Sequence, residues 1–479
     1  MNMKPKQILT IVLIVAAGIY FAINAKEQMN KIENNYETAA NDPLNARIYT
    51  LDNGLKVYLT AYADAPRVQT NIAIRAGSKN DPADATGLAH YLEHMLFKGT
   101  DVYGSLDFEK EAPMLDKIEA LYEEYRSYEM SDTENRDRIW AQIDSISGEA
   151  AKFAIANEYD KMTSSLGATG TNAHTWFEET VYKNKIPANE LSKWLILEEE
   201  RFSELVLRLF HTELEAVFEE FNRGQDNDGR KSYAAMLEGL FPNHPYGQQK
   251  TIGTAQHLKN PSLIDINNYF DKYYVPNNMA MVLVGDINFE ETILEVNNTF
   301  GNLKRKEVVH PILPKEENIT SVITKEVFGP TAENVNVAFR SDGISTKEEK
   351  LVTLCDMILS NGNAGLIDLN LNQKQLVQGA SCSPTFLNDY GYHSFSGIPK
   401  EGQSLDEVRR LILDQINLLK QGEFDEWMIQ AVVNDMKKSQ LQQFENSTAL
   451  ASAYYNAFIH HEKWRDKIQF LEDLSYPVT

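Results

Sequence analysis

Apolar and polar positions along the chain follow two periods. Helical spacing, with apolar residues recurring every three or four positions, marks residues 88–97 (Leu88, Tyr91, Leu92, Met95, Leu96) and residues 198–222 (Phe202, Leu205, Val206, Leu209, Phe210, Leu214, Val217, Phe218). Two later helices are expected over 405–420 and 425–444. Thr86 is placed to cap the first helix and Gly99 to close it. Two further helices, over 115–128 and 135–159, flank the polar turn MSDTEN. Strand-like stretches fall at VQTNIAIRAG (68–77), YYVPNNMAMVLVGDI (273–287) and VNVAFRSDG (335–343). This mixture predicts an α+β protein in which helices pack on one face of a mixed, mostly antiparallel sheet. One pattern occurs twice: a strand ending near an Arg, followed by a helix, as 68–77 before 88–97 and 335–343 before KEEKLVTLCDMIL.

Length changes this picture by allowing two large units, since 479 residues at about 100–200 per domain hold two or three. The first is expected over 47–303 and the second over 319–479, separated by the charged, proline-bearing linker KRKEVVHPILPKEEN at 304–318. At the other end, Lys4 and Lys6 precede an apolar run over 8–25, whose 18 residues would span about 27 Å as a helix, close to the hydrocarbon thickness of a bilayer. Residues 1–25 therefore read as a signal peptide or membrane anchor, followed by a linker at 26–46, with everything beyond on the outer side. The expected location is exported: periplasmic, or anchored in the inner membrane and facing the periplasm.

A net charge of −23 argues against nucleic acid as a partner, because an acidic surface repels phosphate, and it favours basic peptides over acidic ones. Cys355 and Cys382 are the only cysteines; an exported location permits a disulfide between them without requiring one, and neither has the setting of a nucleophile.

The chemistry sits in the first helix. His90, Glu93 and His94 form the pentad His-x-x-Glu-His, and residues at i and i+4 share one helix face, so both imidazoles can reach one ion lying just off it. A catalytic Zn²⁺ takes three protein groups and leaves a position for water, whose pKa it draws toward roughly 7. Glu93, one residue before the second histidine, is placed to take a proton from that water without itself being a ligand. With ten His and 69 acidic residues in the chain, the pattern would arise by chance in only roughly 3 of 100 such sequences. The third ligand must come from elsewhere, and the acidic helical stretch 198–222 offers Glu213, Glu215, Glu219 and Glu220, among which composition does not choose. His174, alone in a strand, reads as structural, as does His244 between Asn243 and Pro245. His460 and His461, adjacent and about 100° apart on a helix, read as packing or surface residues.

The pentad followed by a pair of glutamates seven apart, Glu213 and Glu220, resembles the pitrilysin and insulinase family of zinc metallopeptidases, the inverzincins. The resemblance implies one Zn²⁺ per chain held by His90, His94 and Glu220, with Glu93 as the catalytic base and Glu213 supporting the site from behind. It also implies that the glycine-led stretch 166–187 is an edge strand on which substrate adds as a further strand, with Asn172, Ala173 and Thr175 in the family's Asn-Ala-x-Thr signature. Two related domains are implied, the second without a metal triad, since LVTLCD stands where the pentad would be. The 125 residues between His94 and Glu220 exceed the compact members' spacing, so 105–165 reads as a helical insertion that gates the site, docks a partner or forms a solvated appendage. The resemblance further implies a long bacterial type whose C-terminal half, or a partner subunit, closes the chamber; on that reading 319–479 is truncated and the chain is an N-terminal half. Two readings are thus expected to compete: a zinc endopeptidase acting on peptides or unfolded segments, and a catalytically silent chain, either a structural or peptide-binding relative or an inactive half lacking its C-terminal partner domains.

Overall fold

The alternation of large and small side chains along the central strands decides how this molecule is layered. In the computed structural model, which describes residues 35–62 and 66–473, seven strands form one sheet: β1 (Tyr36–Glu37), β2 (Arg47–Thr50), β3 (Lys56–Ala61), β4 (Arg67–Ile74), β5 (Thr169–Thr175), β6 (Thr180–Pro187) and β7 (Met279–Gly285). Their order is β1-β2-β3-β7-β4-β6-β5, and only β3 and β7 run parallel. On one face, Ile72, Ile74, Met279, Met281 and Leu283 enter the main core. On the other lie Ala73, Ala280, Val282 and Val284, smaller residues from the intervening positions.

The same stretch of chain supplies the helices α1 (Leu88–Met95), α2 (Phe108–Ser127), α3 (Thr133–Ala150), α4 (Glu158–Ser165), α5 (Leu191–Ser203), α6 (Phe210–Gln225), α7 (Asp228–Leu240), α8 (Leu263–Tyr273) and α9 (Phe289–Thr299). Most of them pack on the large-residue face, whereas Leu237 and Leu240 of α7 join a separate cluster with Phe177 and Tyr246. The second half contributes a three-stranded antiparallel sheet of β8 (Val335–Asp342), β9 (Gly379–Phe386) and β10 (Tyr390–Ile398), in the order β8-β10-β9. Against it pack α10 (Lys347–Leu359) and α11 (Leu405–Gln421). The fold class is therefore the expected one, two α+β units of mostly antiparallel sheet and helices.

After α12 (Trp427–Phe444), the chain returns to the first sheet. α13 (Ser447–Ile459) and α14 (Trp464–Asp473) cover its small-residue face, where Leu450, Ala451, Tyr454, Phe458 and Trp464 meet Ile48, Tyr58, Ala73 and Val282. Ala451 on the helix and Ala73 on the strand let the two approach closely, and the larger side chains fill the space around them. Two polar contacts fix the seating: Tyr454 OH lies 2.7 Å from Thr60 Oγ1, and Trp464 Nε1 donates to Asp42 at 2.8 Å. Periodicity, which assigns only an element's own apolar face, gives no sign that residues following the second sheet complete the first.

The stretch 105–165 is not a solvated appendage, because it packs into the first unit. Its helices α2 and α3 pack as an antiparallel pair, and Ile118, Leu121, Tyr122, Ile139 and Ile143 join the main core. The first helix starts earlier than its apolar pattern suggests, because the Asp107 carboxylate accepts the Lys110 N–H at 3.3 Å. The second ends at Ala150, and α4 is a separate helix. Between them the Leu106 N–H bonds Phe153 O at 2.7 Å and the Ile155 N–H bonds Gly104 O at 2.8 Å, which closes the base of the pair and ends the helix.

The two sheets are joined by a charged knot. Glu178, 3% exposed, pairs with Lys79, accepts from Tyr246 OH at 2.5 Å and from the Asn388 N–H at 2.9 Å, and lies 3.5 Å from His460 Nδ1. Asp389, on the turn between β9 and β10, bonds Lys79 at 3.0 Å and Tyr246 OH at 3.1 Å and lies 3.5 Å from His244 Nε2. His244 and His460 are thus packing residues, as read. Cys355 and Cys382 are free thiols. Among the described residues no helix is long and apolar enough to cross a membrane, and the run over 8–25 lies outside them.

Candidate metal centre

The helix α1 is short, and its own first turn does not explain why it forms. The side chain that caps it is Asp81, whose carboxylate accepts the N–H groups of Gly87 at 2.8 Å and Ala89 at 3.0 Å. Thr86, expected to do this, instead binds His257 Nδ1 through both its hydroxyl at 2.7 Å and its N–H at 3.1 Å. Gly87 takes φ +91°, and a Cβ there would stand 2.9 Å from Ile252 O, so only glycine makes the entry. Leu88, Ala89, Leu92 and Met95 then enter the core, which turns His90 and His94 toward α6, with Glu93 beside them.

The stretch 198–222 is not one helix. α5 ends at Ser203 and α6 begins at Phe210, after Leu209 adopts a left-handed φ of 57°. The cause is Arg208, 1% exposed. Its guanidinium bonds the buried Glu111 carboxylate at 2.8–3.0 Å and the carbonyls of Lys98 at 3.1 Å, Thr100 at 2.9 Å and Tyr103 at 3.3 Å. One side chain thereby ties the segment after α1, the helix α2 and the start of α6. Tyr91 OH adds a second tie, donating to Phe210 O at 2.6 Å. The relative placement of α1 and α6 is thus set by buried polar contacts as well as by packing.

With the helices so placed, Glu220 Oε2 lies 3.7 Å from His90 Nε2 and 3.9 Å from His94 Nε2. The three donor atoms fall within 4.8 Å of one another. A tetrahedral ion with bonds of about 2.0–2.1 Å would hold such atoms about 3.3 Å apart, so the set fits a zinc ion with small inward movement. Two imidazoles and one carboxylate are a donor set that zinc accepts. Burial and the neighbouring His94 bring the His90 pKa down to about 3, which keeps its ring neutral and a lone pair available.

Glu213 stands behind the site. Its Oε1 lies 2.7 Å from His94 Nδ1, and its Oε2 pairs with Lys98 Nζ at 2.5 Å. Burial opposes charge on both partners, but their mutual hydrogen bond and attraction outweigh it, raising His94 and, with Lys98, lowering Glu213. Glu93 is 7% exposed, and burial raises its pKa. It accepts a hydrogen bond from Thr175 Oγ1 at 2.6 Å, which links it to β5. That strand is the open edge of the seven-stranded sheet and carries Asn172, Ala173 and Thr175. Ala173 packs toward the α1 side. His174 points the other way, bonding Glu179 at 2.9 Å with its ring 6.0 Å from that of Tyr455, and is not among the converging donors.

Asp81, Lys98, Glu111 and Arg208 escaped the reading of the sequence. Arg208 alone had a signal there, as a base within the apolar run LVLRLF.

Comparison with known proteins agrees with this geometry. Residues 56–118 match the family described as Insulinase (Peptidase family M16), and residues 262–436 match the one described as Peptidase M16 inactive domain. The chain is 23% identical over 425 residues to "Zinc protease PqqE" of Helicobacter pylori, covering 86% of this chain and 83% of that protein. It is 23% identical over 399 residues to "Protease 3" of Escherichia coli, covering 80% of this chain but only 36% of the relative. A crystal structure of a Helicobacter pylori protease superposes with a TM-score of 0.72 at 21% identity, covering 90% of this chain and 92% of that one, a likeness of fold. Two segments in succession match models of peptidase family M16, the second of them its inactive domain, so the resemblance to the pitrilysin and insulinase family extends through both halves of the chain.

Proposed function

We propose that the chain is a zinc-dependent endopeptidase that cleaves peptides or unfolded polypeptide segments. The observation that carries this is the approach of His90, His94 and Glu220 to one point, with the carboxylate of Glu93 beside it and tied to the edge strand β5. In this reading His90, His94 and Glu220 hold one zinc ion, which when bound lowers the pKa of water and polarises the scissile carbonyl. Glu93 takes the proton as water oxygen bonds to the carbonyl carbon, then delivers it to the nitrogen as the C–N bond breaks. Its raised pKa brings it toward that exchange. Glu213 fixes the ring of His94 through Nδ1, leaving Nε2 for the ion.

Substrate lies along β5 as an added strand. Its main chain takes the free hydrogen-bonding positions of that edge, near Asn172, Ala173 and Thr175, and sequence preference is correspondingly weak. The acidic surface favours basic peptides, and the protein works outside the cytoplasm, in the periplasm or on the membrane facing it. A second half or partner subunit closes over this edge; the support is that the chain spans 36% of Protease 3, although it spans 83% of the Helicobacter pylori relative.

Zinc content by elemental analysis and hydrolysis of a quenched peptide, with and without Glu93→Gln, test the proposal. The expected result is zinc retained and hydrolysis lowered by about 10²–10⁴-fold in the variant. Full activity in that variant would overturn the role of Glu93, and a metal-retaining but inert wild-type chain would favour the silent, peptide-binding alternative.

A further inference from the structure

The second half holds donors that the peptidase chemistry leaves unused. Asp356 on α10, Cys382 on β9 and His393 on β10 offer a carboxylate oxygen, a thiol sulfur and a ring nitrogen, all within 4.8 Å of one another. The register explains the meeting. Cys382 pairs with Phe395 and Pro384 with His393, so Cys382 and His393 are diagonal neighbours on one face of the sheet, the face α10 covers. α10 lays Asp356 over them, with its Oδ1 2.8 Å from His393 Nε2 and its main-chain oxygen 3.8 Å from Cys382 Sγ.

The Asp356 carboxylate already belongs to this cluster, and a divalent ion bound there would convert the Cys382 thiol into a thiolate ligand. The donors lie beside the apolar cluster of Leu359, Val377 and Phe395, which limits water. To hold a tetrahedral ion, the 2.8 Å contact between Asp356 and His393 must open by about half an ångström, within side-chain reach.

We propose that Asp356, Cys382 and His393 form a second metal site, for a thiophilic divalent ion such as Zn²⁺, with one position left to solvent. It is no relic of the first site, whose ligands lie on two helices; this one joins one helix to two strands. Mixed sulfur, nitrogen and oxygen donors suit zinc better than magnesium or calcium. Bound there, the ion clamps α10 to β9 and β10.

The two sites are separable by experiment, because only the second offers sulfur. The full chain, stripped with chelator and reloaded with zinc, is expected to hold two equivalents after dialysis. Cys382→Ser and His393→Gln each bring this to one, and His90→Gln with His94→Gln also leaves one. Reloaded with Co²⁺, the wild type and Cys355→Ser show thiolate-to-cobalt charge-transfer absorption, which Cys382→Ser loses while its far-ultraviolet circular dichroism is unchanged. A cobalt-loaded wild type with no such absorption overturns the site, as does absorption that survives Cys382→Ser. Neither result touches the His90, His94 and Glu220 reading, which carries no sulfur.

Discussion

In the first half, β4 ends beside Arg75 and leads into α1; in the second, β8 carries Arg340 near its end and leads into α10. The two units share a plan and differ in support. β4 is buried along all but its first residue, whereas no residue of β8 is fully buried. Six of the eight residues of α1 are buried, against Ile358 and Leu359 alone in α10. Around α1, Asp81, Tyr91 and Arg208 fix its start, its flank and the segment after it. Ligands alone do not make a catalytic centre; the buried contacts that hold two helices at one separation do, because a displaced donor of even 1 Å costs the geometry.

The most direct way to break this comparison is to remove a ligand from the first half. Glu220→Ala should lower hydrolysis at least as far as Glu93→Gln, by about 10²-fold or more, and unlike Glu93→Gln should also release zinc, read by elemental analysis of the dialysed protein. Next comes support without ligand change. Arg208→Met leaves Glu111 buried and uncompensated, and should lower the unfolding free energy by about 3–5 kcal/mol in a urea titration; breaking the exposed pair Arg409–Asp406 of the second half should move the same measurement far less, because solvent screens it.

A third test addresses the joint between the halves. Burial would push Glu178 upward, but hydrogen bonds from His460, Lys79 and Tyr246 and the Lys79 charge hold its pKa at about 2. A depressed carboxylate contributes stability that is complete above its unfolded pKa of about 4.3 and disappears as pH falls toward 2, worth roughly 3 kcal/mol at most. Stability measured from pH 6 to pH 2 should therefore fall less steeply in Glu178→Gln than in the wild type. The smallest effect sharpens the contrast: Glu213→Gln should weaken zinc affinity by about 10–100-fold while leaving one equivalent at saturating zinc in the His90–Glu220 site, measured by competition with a chelating dye.

Much of this was legible in the amino acids. His90, Glu93 and His94 follow from spacing, because a helix places i and i+4 together whatever surrounds it. Glu220 did not follow in that way: four acids share its stretch, and only the family resemblance singled it out before α1 and α6 were seen to face each other. The break before α6 was hidden because Leu209 has no local reason to adopt a left-handed conformation; Arg208, tied to Glu111 far away in sequence, imposes it. Asp81 was missed for a similar reason, since it caps from six and eight residues before its partners. Local periodicity reports which face of an element is apolar, and it is silent on what will cover that face.

The return of α13 and α14 to the first sheet bears on how the protein is made. Asp42 and Trp464, hydrogen-bonded in the finished molecule, are separated by 422 positions. A growing chain leaving the ribosome therefore carries Ala73, Val181, Val282 and Val284 uncovered on one side of the sheet until α13 and α14 have been synthesised. At about 5–20 residues per second, that interval lasts tens of seconds, during which the bare surface invites association with other chains. Recombinant versions stopped before Ser447 should accordingly collect in the insoluble fraction even though His90, His94 and Glu220 are all present, and a chaperone that shields extended apolar surface should raise the yield of the chain that includes α13 and α14.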